Sequence, residues 1–284
     1  MTQGSFVRLA FRRFRKHKLA VVSAVFLLLL SIAAILAPQI APCDPYRMDV
    51  SNMEQGPSRA HLLGTDQIGR DILSRIIFAS RVSLAVGLIT AFVSTCIGTA
   101  LGAISGYFGG LVDNVIMRMA DIFMSFPMLP IAIVIVAVVG PSANNVVIIA
   151  ALLSWPGLAR IVRGQFLALR EQDYAQAARA IGAGPYRIAF RHLLPNSLAP
   201  IVVWATLNVA QVILLEAGLS FLGLGVQIPT ATWGNMLMDA QSIRVIEAFP
   251  WIWLPPGVMI LLTVLSINLL GDGLRDALDP SLTR

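Results

Sequence analysis

Hydrophobic positions in this chain come in long blocks rather than in alternation. Charge-free runs of about twenty residues recur, the length a helix needs to cross a hydrocarbon core roughly 30 Å thick. Leu19–Ile40 is the first such run and Val82–Ile104 the second. The longest runs from Ile122 to Ala159, too long for one helix, and the turn-forming stretch Gly140-Pro141-Ser142-Ala143-Asn144-Asn145 divides it. The pattern therefore predicts helices over Ile122–Val139 and Val146–Ala159, joined by a tight hairpin. The second is short, and snorkelling of Arg160 and Arg163 would lengthen it. Ile201–Leu222 and Phe249–Leu270 complete a set of six. The prediction is an all-α membrane protein with six transmembrane helices.

The first run follows Arg8, Arg12, Arg13, Arg15, Lys16 and Lys18, as a signal peptide would. It exceeds the roughly 7–15 residues of a signal h-region, and no A-x-A cleavage site follows, so a retained span is expected. Composition agrees: 57% of the 284 residues are hydrophobic and 13% charged, against about 25% charged in soluble domains. The formal charge of +6 could suggest nucleic acid. The basic residues are instead separated by long uncharged stretches with no aromatic-interleaved patch, so no nucleic-acid partner is expected.

The positive charge is better explained by topology. With the amino terminus inside, segments 1–18, 105–121, 160–196 and 272–284 carry fifteen of the 21 Lys and Arg, and segments 41–81 and 223–248 carry six. The positive-inside rule then gives both termini in the cytoplasm. The expected organisation is a cytoplasmic basic segment 1–18, a first span 19–40 and an extracytoplasmic segment 41–81. A five-helix core 82–271 follows, with a cytoplasmic loop 160–196, and then a cytoplasmic tail 272–284. In the amino-terminal segment Val7, Ala10, Phe11 and Phe14 share one helical face. An in-plane helix with its arginines toward anionic head groups and a solvated basic tail both fit.

Loop 160–196 is the longest inside loop, and its chemistry is readable. Asp173 followed by Gln176 has the spacing of a capping box, Tyr174–Ile181 reads as a short helix, and Gly182 stands where a left-handed terminating residue belongs. Pro185 after Gly184 suits the first turn of a new helix. Ala175, Ala177, Ala178 and Ala180 keep the short helix thin. A thin capped helix suits a groove in another protein, and a loop helix resting on the lipid surface fits equally well.

The run Tyr174-Ala175-Gln176-Ala177-Ala178-Arg179-Ala180-Ile181-Gly182-Ala183, followed by Arg191-His192-Leu193-Leu194-Pro195-Asn196, resembles the EAA loop of binding-protein-dependent ABC importer permeases. Gln176, Ala177, Ala178, Gly182, Leu194 and Pro195 fall at positions of that pattern, while Gln176 replaces its glutamate and His192 its isoleucine. The resemblance covers nearly the whole chain. His61–Arg75, Gly106–Gly110, Leu219–Gly225, Trp233-Gly234 and Gly271–Pro280 are similar to segments of the C-type permease of dipeptide, oligopeptide and nickel importers.

What the resemblance implies is a type I ABC importer transmembrane subunit. It would pair with a homologous B-type permease, two cytoplasmic ATPases and an extracytoplasmic solute-binding protein, all at the bacterial inner membrane. Asp173, Tyr174, Gln176, Ala177, Ala178, Gly182, Leu194 and Pro195 would then couple to the ATPases. The implied cargo is a di- or oligopeptide, with nickel or another small solute as the alternative. ATP and magnesium would be bound by the partner ATPases, and no cofactor or metal by this chain.

Other residues carry weaker signals. Glu216 is the one acidic residue well inside a span. A carboxylate there is costly to bury, which fits either a pathway or gating residue or a structural hydrogen-bonder near the outer interface. Gly98 and Gly102 permit close helix approach, as ordinary packing or as a dimer seam. Asp113, Arg118 and Asp121 read as interfacial anchors and ion pairs, and Gly64–Asp71 as a cap on the bundle or a contact for the solute-binding protein. Cys43 and Cys96 show no metal or redox spacing. The three histidines form no H-E-x-x-H, and no G-x-S-x-G occurs. The only lysines, Lys16 and Lys18, follow Arg15 and His17, so the Gly-Lys step of a P-loop is missing. A secondary transporter would want midplane charges or inverted repeats, and only Glu216 qualifies.

Overall fold

The computed structural model describes residues 12–278 and is helical throughout its regular elements. Val7, Ala10 and Phe11, three of the four residues of the amphipathic amino-terminal face, lie outside the described residues. The first long helix, α1, spans Lys18–Ile35 and is capped by His17, whose ring accepts a hydrogen bond from the Ala20 N–H at 3.1 Å. A break at Leu36 and one further turn, Ala37–Ile40, complete the expected first span.

The second helix, α2, is far longer than the uncharged run predicted. It covers Ile72–Phe108, 37 residues, or about 55 Å at ~1.5 Å per residue. Charge at Arg75 and Arg81 ends the uncharged run without ending the helix, because the helix starts ten residues before the predicted span. Asp71 is its N-cap and accepts from the Ser74 N–H at 2.8 Å.

The third predicted span is not one helix. Gly110–Met124 forms α3 and Met128–Val139 forms α4, and their axes bend by 88°. The physical reason is Pro127, which lacks an N–H and pushes Phe126 out of helical geometry. α3 covers most of 105–121, the segment that the uncharged runs place on the cytoplasmic side between two spans. Five described helices are each long and apolar enough to cross a membrane, and the count reaches six if the bent pair is one span.

The fourth span extends as expected, as α5 over Ala143–Leu169, with Ser142 capping it through the Asn145 N–H. The arginines expected to snorkel do something more specific. Arg163 grips Asp113 of α3 with two hydrogen bonds of 2.5 and 2.6 Å, and Arg160 pairs with Asp121. Asp113 and Asp121 are thus ion-paired, as read from the sequence, and Arg118 lies 3.8 Å from Asp121.

A short helix, α6, spans Asp173–Ala180, and the last two long helices are α7, Leu198–Phe221, and α8, Pro250–Leu278. The most extensive helix pair is α2 with α5. Gly98, Gly102 and Gly106 line their seam, and a Cβ at Gly102 would stand 2.5 Å from the Ala159 carbonyl oxygen. The Gly98–Gly102 pair therefore serves close packing inside this chain. α7 packs against α8 and α2, and α1 lies across α8 and α2.

Candidate functional site

Two ends of the bundle concentrate polar chemistry. At one end α2 finishes at Phe108, and Arg170, just past α5, donates to the Gly106 and Tyr107 carbonyls at 3.1 and 3.4 Å. This caps the negative end of the α2 dipole with a cation and fixes the start of the α6 hairpin. α6 follows at once. Its N-cap is Gln172, whose backbone carbonyl accepts from Gln176, and it forms no side-chain cap. The predicted Asp173–Gln176 capping box is therefore absent. The helix begins at Asp173 itself, and the Gln176 amide reaches back to the Glu171 carbonyl at 3.0 Å.

The other end of α6 forms as its sequence predicts. Gly182 has φ +82°, a left-handed conformation open to a residue without Cβ. The Gly182 N–H bonds Arg179 O at 2.9 Å, and the Ala183 N–H bonds Ala178 O at 3.0 Å. That pair of bonds is a Schellman motif. Pro185 then opens the turn Pro185–Ile188, which runs into a wide turn over Ala189–Leu193 and a last turn at Leu194–Asn196.

Burial divides the predicted coupling residues by helical period. Ala175 and Ala178 are buried against Phe166, Ile188 and Leu193, and Leu194 packs at the margin of that cluster. Asp173, Tyr174, Gln176, Ala177, Gly182 and Pro195 are exposed. Large apolar side chains stand out beside them: Ile181 is 86% exposed, Tyr186 74% and Phe190 64%. The small alanines thus thin the inner face of α6, bringing it onto the bundle, while its outer face carries polar side chains bordered by bare apolar ones.

The opposite end is held by charge. Asp66, 3% exposed, accepts from the Ile68 and Arg70 N–H groups and from the Arg70 side chain at 2.7 Å. Arg75, also 3% exposed, lies 3.5 Å from the same carboxylate, and its Nη1 has no partner. Asp71 accepts from Ser74 on one oxygen, and its other oxygen sits 2.9 Å from His61 Nδ1. The segment Gly64–Asp71 is accordingly buried or half-buried throughout, and its last residue, Asp71, caps α2. Cys43, His61 and Asp71 converge with ligand-type atoms within 4.8 Å, a juxtaposition that sequence spacing does not reveal. Burial, with help from Asp71, raises the Cys43 thiol above its usual range, which opposes the thiolate a metal requires. The Asp71 oxygens are already engaged as a cap and a histidine partner.

Glu216 sits five residues before the end of α7 and is 1% exposed. Ser220 donates to it at 2.6 Å, and the Ser83 hydroxyl of α2 and Thr232 of the 222–249 loop approach it. Ser220 Oγ also accepts from the Val226 N–H, and Ser83 Oγ from the Trp233 N–H, so the cluster ties that loop to α2 and α7.

Comparison with known proteins agrees with this geometry. Residues 98–284 match the family described as binding-protein-dependent transport system inner membrane component. Residues 5–57 match the N-terminal transmembrane domain of oligopeptide transport permease C. A putative peptide permease protein of Brucella suis is 46% identical over 268 residues, which are 94% of this chain and 89% of that one. The dipeptide transport system permease protein DppC of Alkalihalophilus pseudofirmus is 45% identical, covering 97% and 90%. The glutathione transport system permease protein GsiD of Pectobacterium atrosepticum is 45% identical, covering 95% and 90%. Among solved structures, an inward-facing MetNI methionine ABC transporter superposes with a TM-score of 0.55 at 21% identity, over 70% of this chain and 93% of that one. This is a likeness of fold.

Proposed function

We propose, from the premise that this chain belongs to the binding-protein-dependent transport system inner membrane component family, that it forms half of the translocation pathway of an ATP-driven peptide importer. The peptide assignment rests on relatives named for peptide, dipeptide and glutathione transport. In this reading the chain performs no hydrolysis. Two cytoplasmic ATPases bind ATP and magnesium, a homologous B-type permease supplies the other half of the path, and a solute-binding protein delivers cargo outside. Both termini lie in the cytoplasm, so that α6 faces the ATPases.

The observation that carries this is the way α6 is mounted. Its inner face is pinned by Ala175 and Ala178, its end by a Schellman motif, and its outer face is free. Arg170 ties its base to α2, and Arg163 ties α5 to α3. Motion delivered to Tyr174, Gln176 and Ala177 is therefore passed to the α2–α5 pair as one body. Nucleotide acts by binding the ATPase differently in two states, which shifts the population of permease conformations. Glu216, enclosed by Ser220, Ser83 and Thr232, acts in this reading as a positioning residue for the outer loop.

The test is disulfide crosslinking between the assembled subunits, with a cysteine at exposed Ala177 and another in the ATPase cleft. Crosslinking should form, and it should arrest ATP-driven dipeptide uptake, with release by reductant. If no cleft position crosslinks to 177, and ATPase stimulation survives disruption of α6, the coupling assignment is wrong. Uptake that persists under vanadate and ATP depletion would revive an ion-driven carrier.

A further inference from the structure

At the end opposite α6 the structure holds a cavity of about 430 Å³, within the roughly 300–1,000 Å³ range of small-molecule sites. Three parts of the chain build it: the segment before α2, the start of α2, and the stretch 228–239, closed by Ile252 of α8. Ile228, Met236 and Ile252 give it apolar walls, while Arg70, Arg75, Asp66 and Asp239 give it charge of both signs. Buried charge in an apolar cleft is expensive unless something pairs with it.

The two cations are not equally served. Arg70 holds the Asp66 carboxylate at 2.7 Å, and the backbone completes that carboxylate's set of donors. Arg75 is left with a 3.5 Å approach to the same, already occupied oxygen, and its Nη1 has no hydrogen-bond partner although the side chain is 3% exposed. A buried guanidinium is a fork built for a carboxylate, and here part of the fork is unused. On the acidic side, Asp239 lies in the cavity wall with a carboxyl that burial pushes up to about 6, reinforced by Asp66 and opposed by Arg70 and Arg75. Glu54, the remaining acid nearby, is engaged by Arg244 through two hydrogen bonds. Arg75 and Asp239 are thus the two charged groups of the cavity with capacity to spare.

We propose that this cavity is a binding site for a small zwitterion with an apolar side chain, an amino acid or dipeptide, whose carboxylate meets Arg75 and whose ammonium meets Asp239. The Ile and Met walls take the side chain without selecting among apolar shapes, which suits a site that meets varied cargo. The inference rests on the peptide-importer reading for its ligand class, and it places a cargo contact at the end of the bundle away from the ATPases. Neutrality is kept: the ligand adds one charge of each sign to a cluster that already balances.

The test uses the purified complex containing this chain, without solute-binding protein, and measures equilibrium binding of L-leucyl-L-leucine by calorimetry. N-acetyl and C-amide forms of the same dipeptide are the comparison probes, and ATP-driven dipeptide uptake is measured in parallel on the full system. Saturable binding is expected, at least ~10-fold weaker for each blocked form, a loss of about one charge-assisted contact. Arg75→Gln should remove it, and Ile228→Trp, at the exposed mouth, should fill the cavity and remove it without touching a charge. Binding that is absent from the wild type, or unchanged in both variants, overturns the site. Uptake of the dipeptide without such binding overturns the site and leaves the importer reading intact. Binding without uptake supports the site and counts against peptide as the transported cargo.

Discussion

The two ends of the bundle are fastened by opposite means. At the α6 end, a helix is docked through the methyl groups of Ala175 and Ala178, which at ~0.8 kcal/mol per buried carbon contribute only about 1–2 kcal/mol. At the far end, Asp66 and Asp71 are buried and accept several charge-assisted hydrogen bonds, each worth roughly 1.5–3 kcal/mol. The first fastening is shallow and covers little area, as suits an element proposed here to move with a partner. The second is polar and directional, and it fixes one geometry. The difference teaches that rigidity in this fold is placed at the end away from the proposed energy source, with α2 running between the two.

Breaking the shaft between the ends has the largest expected effect. A valine at Gly102 would drive its Cβ into the Ala159 carbonyl, 2.5 Å away, and against Val162. Overpacking that splits the seam should cost about 3 kcal/mol or more, read as lost folded yield and a lowered Tm of the solubilised protein. Ala178→Met addresses the α6 end alone. Pushing the helix off Phe166 and Leu193 should cost about 2 kcal/mol of docking and reduce ATP-driven uptake at least ~10-fold, with Tm nearly kept. If uptake is unchanged, docking of α6 is not what transmits force.

Asp239 sharpens the comparison at the far end. Its folded carboxyl titrates near 6, above its ordinary 3.8, because it is buried. The folded state therefore holds a proton that the unfolded chain has released between about pH 4 and 6, so this group's contribution to stability is full below that window and is lost as pH rises through it. Asp239→Asn should remove the loss, leaving the variant more stable than wild type above pH 6 by up to about 2 kcal/mol, allowing for partial solvation, and equal to it near pH 4. Paired Tm profiles over that range check the sign. Arg244→Ala gives the smallest effect. Its pair with Glu54 leaves Arg244 65% exposed, so less than ~1 kcal/mol is at stake, and the change should fade in high salt.

Much of this architecture is readable in one sequence, and the failures have physical causes. Uncharged runs located the membrane-crossing stretches because charge is costly there, but they mark where lipid begins rather than where a helix begins. Arg75 shows the gap: it interrupts the run and lies inside α2. The left-handed Gly182 and the new turn at Pro185 were legible because both are local backbone chemistry. The capping box was a local inference that failed by one residue, with Gln172 taking the N-cap position. The bend at Pro127 was written in the sequence and hidden by the length of the apolar run around it. The pairing of Arg163 with Asp113, and the placing of Asp239 beside Arg70 and Arg75, bring together residues 50 to 169 positions apart. Nothing in spacing announces them.

The 88° bend between α3 and α4 has a consequence for the solvent around it. α4 has 12 residues, about 18 Å at ~1.5 Å per residue, so it crosses little more than half of a ~30 Å apolar slab. Wherever the corner at residues 125–127 meets lipid, no water supplies donors or acceptors. It answers largely from its own atoms: the Ser125 N–H and hydroxyl both turn back to the Ile122 carbonyl, the Pro127 carbonyl receives the Ile131 N–H, and Pro127 has no N–H to satisfy. Pro127 makes the corner and also leaves it one fewer thirsty group, so a Pro127→Ala chain would carry an additional amide that the corner itself would have to satisfy.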